Sequence, residues 1–142
     1  MSRFPNISEA SSIAIHSMAL VNQAEEILNV NQIAELTEFS KNHISKVLQT
    51  LVKHGYLSSG RGPRGGFVSL PDTDKVNLLE IIELIEGRMS DQHCGIEVGK
   101  CPFETCVFGD LPEEFKTKFR EYYRNKKIGE IKLAVKKTKQ II

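Results

Sequence analysis

The three cysteines of the chain, Cys94, Cys101 and Cys106, all fall within one short stretch, CGIEVGKCPFETC, at residues 94–106. An odd count cannot pair fully into disulfides, so a disulfide framework explains the clustering poorly. Thiolates are preferred ligands of soft metals and of iron-sulfur clusters, which explains it better. The spacing C-x6-C-x4-C lacks the paired C-x2-C of a zinc knuckle. Pro102, directly after Cys101, stiffens the loop as prolines do in iron-sulfur sites.

A loop of this kind needs a folded body to hold it. With 142 residues the chain can bury roughly two thirds of its unfolded surface, so it folds without staples. Its amino terminus, MSRFPNISEASS, has no apolar run of signal-peptide length, and no stretch is long and apolar enough to cross a bilayer. These features lead us to expect a soluble cytoplasmic protein with reduced thiols.

Net charge is +1, but the charges are unevenly spread. Between residues 39 and 71 there is no Asp or Glu, while Lys41, Lys46, Lys53, Arg61 and Arg64 all lie there. A segment of one sign in a balanced chain suits a phosphate-facing surface.

Periodicity places a first helix over residues 8 to about 28, with Ser8 as its N-cap, and a short second helix from about Val30 to Leu36. The third, SKNHISKVLQTLVKHG, starts at Ser40, turns Ile44, Val47, Leu48 and Leu51 inward and stops at Gly55. Its other face carries Lys41, Asn42, Ser45, Lys46 and Gln49, groups suited to base edges and phosphates but equally to a solvated surface. Two β-prone runs follow, near residues 56–58 and 67–70, joined by a Gly and Pro turn that holds Arg61 and Arg64. A short helix, a turn, an amphipathic helix and a basic hairpin make a winged helix-turn-helix.

Gly60, Gly62 and Gly65 satisfy G-x-G-x-x-G, yet a β-prone run ended by Pro71 follows them where a dinucleotide site needs a helix. Hairpin geometry explains these glycines better. The chain also has no paired-carboxylate pocket, no Ser placed with His and Asp, and no phosphate loop that survives its context, so an enzyme is not expected.

After Pro71, VNLLEIIELIEG reads as a helix with Val76, Leu79, Ile82, Leu84 and Ile85 inward and Gly87 as its stop. Beyond the cysteines, Asp110 and Glu113 have the spacing of a capping box with Pro112 in the first turn. Leu111, Phe115, Phe119 and Tyr122 then form an apolar stripe, for which a dimer partner is the simplest cover. The lysine-rich end, IGEIKLAVKKTKQII, reads as a frayed helix or a disordered tail. The expected class is mainly α: a winged helix-turn-helix over residues 1–73, then a cysteine-loop sensor and C-terminal dimerisation helix over 74–142.

Taken together, these residues resemble the Rrf-two family of bacterial winged-helix transcription regulators, which includes the iron-sulfur cluster regulator and the nitric-oxide-sensing repressor. The resemblance covers nearly the whole chain: ISEASSIAIHSMALV in the first helix, SKNHISKVLQTLVKHGYL in the recognition region, RGPRGGF in the wing, and the three cysteines before a terminal helix. It implies a homodimer on a partly palindromic DNA operator, with a 2Fe-2S or 4Fe-4S cluster controlling affinity. Cys94, Cys101 and Cys106 would be its thiolate ligands. Asn42, His43, Ser45 and Lys46 would face the groove, and Arg61 would be the wing contact. Ser45 stands where some members carry a base-discriminating Glu, so their operator preference does not transfer.

The family's fourth ligand does not carry over directly. Members with a histidine three residues after the last cysteine are matched here by Gly109, and the first-helix aspartate of nitric-oxide sensors is matched by Ser12. His16 matches a first-helix histidine ligand of other relatives and is the leading candidate, one that would serve the cluster of the other subunit, with Glu9 and His93 behind it. Since some relatives regulate without a cluster, the readings rank as cluster, then redox thiols, then zinc. An iron-sulfur carrier that uses its winged helix for protein contacts is the rival from another class.

Overall fold

The structure is a computed structural model that describes residues 6–60, 65–90 and 94–134. In chain order it has α1 (Glu9–Gln23), α2 (Val30–Thr37), α3 (Lys41–Lys53), β1 (Leu57–Gly60), β2 (Gly66–Ser69), α4 (Leu78–Glu86) and α5 (Leu111–Arg124). Short 3-10 turns follow β2 and α5, at Thr73–Lys75 and Ile128–Glu130. The chain is mainly helical, with a single antiparallel hairpin among the described residues that pairs Leu57 with Ser69 and Gly60 with Gly66.

α1 is the central element. Ser8 caps it by accepting from the Ser11 amide at 3.1 Å. Ile13, Ala14 and Met18 are fully buried against Ile33 of α2, Ile44, Leu48 and Leu51 of α3, and Ile81 of α4. Each buried Leu, Ile or Met contributes about 1.5–3 kcal/mol relative to exposure. Ile128, after α5, belongs to the same core, so one apolar cluster joins the N-terminal and C-terminal parts.

α1 ends at Gln23, five residues short of the expected stop at Leu28. The reason is non-local: the Leu28 amide donates to the Phe67 carbonyl at 3.1 Å, and the Phe67 amide donates back to Leu28 at 2.7 Å. Leu28 thus joins the hairpin as a bridge residue. Next to it, Gly66 lets the two backbones meet, since a Cβ there would lie 2.4 Å from the Leu28 carbonyl oxygen. Asn29 then opens α2 through a reciprocal capping box with Gln32.

α4 starts later than its apolar run suggests. Asn77 and Glu80 form its capping box, and Val76 precedes it, accepting from the Ile128 amide at 2.9 Å. Leu78, Leu79, Ile81 and Ile82 are its buried residues, while Leu84 and Ile85 are partly buried. Gly87, at φ +82°, ends the helix as expected.

α5 carries Pro112 in its first turn, but the expected Asp110–Glu113 box is absent: Asp110 is in the αR region and its side chain makes no cap bond. A box needs an extended cap residue, and the turn preceding α5 does not supply one. The helix is tied to α4 by Arg120 Nη1, which donates to Glu83 Oε1 at 2.7 Å.

Candidate nucleic-acid interface and cysteine loop

α3 matches the sequence reading closely. Ser40 Oγ accepts from the His43 amide at 3.2 Å, and the four inward residues Ile44, Val47, Leu48 and Leu51 are all buried. Gly55, at φ +80°, follows the C-cap. The turn between α2 and α3 runs through Glu38 in the left-handed region at φ 65°.

On the outer face, Lys41, Asn42, Lys46 and Gln49 are exposed, and His43 and Ser45 are half-buried. Gln49 Nε2 donates to Ser45 Oγ at 3.4 Å, one turn back. No acidic side chain lies on this face of α3, so its field is positive. His43 sits at its edge, with Nδ1 4.0 Å from Glu9 Oε1 of α1. Glu9, a reserve ligand candidate in the sequence reading, is thus beside the recognition helix. Arg61 and Arg64 lie outside the described residues; the strands leading into and out of their turn, β1 and β2, form the expected wing.

Cys94, Cys101 and Cys106 form no disulfide, and all three are exposed. From Cys94 to Asp110 every residue is exposed, and the chain runs through bends and turns. Its internal ties include an ion pair of Lys100 Nζ with Glu97 Oε2 at 2.6 Å and a hydrogen bond from the Gly109 amide to the Cys106 carbonyl at 3.0 Å. Among the described residues, no group of three or more His, Cys, Asp or Glu side chains is gathered closely enough to hold a metal ion. Thiols have no attraction for one another that would draw them together unassisted.

His16 is exposed on α1 and belongs to no group of three or more potential metal ligands among the described residues. Its Nδ1 lies 2.7 Å from the Ser12 carbonyl oxygen and 3.2 Å from Ser12 Oγ, and its ring meets Phe39 edge-on at 6.0 Å. A carbonyl can only accept, so Nδ1 is the donor in this contact. His93 lies outside the described residues.

The apolar stripe on α5 divides. Leu111, Phe115 and Tyr122 are 60%, 59% and 54% exposed, whereas Phe119 turns inward against the core and stacks edge-to-face on Tyr123 at 4.8 Å. The inward face also holds Pro112 and Lys116, both buried. A lysine at a core-facing position gave periodicity no signal, and this is the feature that sequence reasoning missed. Val98, Phe103, Val107 and Phe108 of the cysteine loop add to the exposed apolar surface. No helix among the described residues is long and apolar enough to cross a membrane.

Comparison with known proteins gives this geometry a family. The profile of the Rrf2 family, described as iron-dependent transcriptional regulator, matches residues 7–132. An HTH-type transcriptional regulator of Aquifex aeolicus (strain VF5) is 27% identical over 122 residues, covering 84% of this chain and 83% of that protein. The regulator NsrR of Bacillus subtilis (strain 168) is 35% identical over 69 residues, 49% of this chain and 47% of NsrR. Among solved structures, CymR, the global cysteine regulator of B. subtilis, superposes with a TM-score of 0.68 at 20% identity, covering 88% of this chain and 94% of CymR, which shows a shared fold. The A. aeolicus protein and NsrR are both HTH-type transcriptional regulators by name. The winged helix-turn-helix, the loop and α5 therefore have one reading in common: the chain belongs to the Rrf2 family of transcriptional regulators.

Proposed function

We propose that the chain acts as a homodimeric, operator-binding regulator, chiefly a repressor, whose affinity for double-stranded DNA is set by an iron-sulfur cluster at Cys94, Cys101 and Cys106. One observation carries the reading: all three thiols are outside any disulfide and exposed on a single loop, joined directly to a helix that exposes Leu111, Phe115 and Tyr122. The donor set fits the group chemically, with three soft ligands on a segment that can rearrange without disturbing the core. The cluster, when bound, supplies a reactive centre whose loss alters the loop that holds it.

His16 is the proposed fourth ligand. Its Nδ1 hydrogen is engaged by the Ser12 carbonyl, the second contact that orients a metal-binding imidazole and leaves Nε2 to coordinate. His54 makes the same bond to the Thr50 carbonyl at 2.9 Å, so the bond permits ligation without requiring it. Since His16 forms no ligand group with this chain's own cysteines among the described residues, the partner subunit's loop is the cluster it would serve.

The two parts of the chain divide the labour: residues 1–73 read DNA through Lys41, Asn42, His43, Ser45 and Lys46, with Arg61 and Arg64 on the wing, and residues 74–142 sense and dimerise. Leu111, Phe115 and Tyr122 of α5 meet the partner, while Phe119 supports them from within. Two recognition helices must sit about 34 Å apart, or a multiple of it, to use one face of B-DNA. A shift at the α5 interface changes that spacing, and a few kcal/mol between two arrangements switches occupancy by orders of magnitude. Such a regulator works in the cytoplasm, where thiols stay reduced.

The exposure of the cysteines also favours a second reading, a cluster-free thiol switch. The test is operator binding under anaerobic conditions, on DNA selected from a random pool by the protein itself. Cys101→Ala should fold normally and lose the response to nitric oxide or iron depletion. A variant that responds like the parent refutes cluster control. If cluster transfer to an acceptor continues while Lys46→Ala has no effect on DNA affinity, the protein is a carrier.

A further inference from the structure

Between the end of α4 and the middle of α5 lies a cavity of ≈ 620 Å³ whose lining includes Arg88, Ser90, Glu113, Lys116, Thr117 and Arg120. It is separate from the DNA-facing side of α3 and from the three cysteines, and neither DNA binding nor a cluster accounts for it. Lys116 is its central feature. The residue is only 5% exposed, although a buried ammonium is costly unless charges or carbonyls surround it. Its Nζ donates to the Ser90 carbonyl at 3.2 Å and lies 3.2 Å from Glu113 Oε2.

That carboxylate is a surface group, with a side chain 68% exposed and three residues away on the same helix. Pairs of this kind contribute little and exchange readily. Arg120 is held in place by Glu83 at 2.7 Å, and Arg88, just past the Gly87 stop, is exposed. Among the described residues, two guanidiniums and an ammonium line one polar cavity with two hydroxyl-bearing residues, Ser90 and Thr117, and the carboxylate of Glu113.

The geometry points to an oxyanion site: this cavity takes a doubly charged phosphate-type group, free or as the head of a small metabolite, between Arg88 and Lys116, with Glu113 displaced toward solvent. Guanidinium and ammonium donors around such a group form charge-assisted hydrogen bonds, the strongest available to it. An occupant would bridge the root of the cysteine loop to α5.

The test is calorimetric titration of the full chain, without DNA, with inorganic phosphate and separately with glycerol 3-phosphate, against chloride at matched ionic strength. One saturable site per protomer is expected. Glu113→Gln should tighten binding about twofold to fivefold, the range of an exposed ion pair, because it removes the resident carboxylate. Arg88→Glu should weaken it by at least as much. Both side chains are exposed, so neither variant threatens the fold. Tighter binding of the ester identifies a metabolite as the ligand, and equal binding identifies free phosphate. Non-saturable binding, or a site indifferent to both substitutions, overturns the proposal.

Discussion

Ser11 Oγ, fully buried on α1, donates to Glu86 Oε1 of α4 at 3.1 Å. Glu86 is the last residue of α4, directly before the Gly87 stop, where the helix dipole disfavours a carboxylate. The hydroxyl offsets that cost and fixes the end of α4, from which the cysteine loop departs, against the central helix. Ser11→Ala should therefore destabilise the protein by about 1.5–3 kcal/mol, the range for hydrogen bonds to charged groups. Urea unfolding of the variant beside Glu86→Gln checks this, and the double variant should cost less than the sum of the two.

Gly66→Ala should be more damaging than a surface substitution, because the new Cβ would meet the backbone of Leu28 at 2.4 Å and the backbone cannot yield as a flexible side chain would. The expected loss is about 1–3 kcal/mol, as for overpacking. Thermal unfolding, set beside Gly55→Ala as a variant strained by φ but open in space, separates contact from conformation.

Tyr56 gives a pH dependence of known sign. Burial of the phenol, followed by the neighbouring Glu80 carboxylate, raises its pKa above the usual 10.0, and its hydroxyl donates to Glu80 Oε2 at 3.3 Å. A group with a raised folded pKa contributes stability that is fully present below its unfolded pKa and is lost as pH rises through the folded value. The advantage of the parent over Tyr56→Phe should therefore hold at neutral pH and shrink above about pH 10. A parent advantage that grows in alkali would contradict the assignment.

Much of this was legible in the sequence, and the gaps have physical causes. Every marker of α3 is local, namely Ser40, the inward row Ile44, Val47, Leu48 and Leu51, and Gly55, and these markers bracket the observed helix, Lys41–Lys53. The end of α1 was not, since residues 24–28 have helix-compatible types and only Phe67, far along the chain, draws Leu28 into a strand pairing. On α5 the apolar spacing was correct, but it merged two faces. Lys116 occupies an inward position, and Phe119 points to the core while Phe115 points away. Count and spacing single out the three cysteines, but neither encodes the path of the exposed loop that carries them.

For the α5 surface, Phe115→Asp places a charge at the centre of the exposed stripe and away from the core, so the monomer should fold with unchanged helix content. Sedimentation should show a dimer for the parent and a monomer for the variant at micromolar concentration. An unchanged dimer would exclude this face as the interface.

DNA contact through α3 is tested by Lys46→Ala, whose exposed ammonium lies on the positive face. Operator affinity should fall, and the salt dependence should become shallower by about one unit of slope, as for one lost phosphate contact. A large loss of affinity with an unchanged slope would indicate that the residue acts through the fold.

The most direct test of the central claim is iron and acid-labile sulfide per protomer, read with the visible absorption spectrum, on protein expressed and purified without oxygen. Cluster control requires visible charge-transfer bands with stoichiometric iron and sulfide, all lost in Cys101→Ala. Colourless protein holding zinc would make the loop structural, and colourless metal-free protein would contradict the cluster and leave a thiol switch in its place.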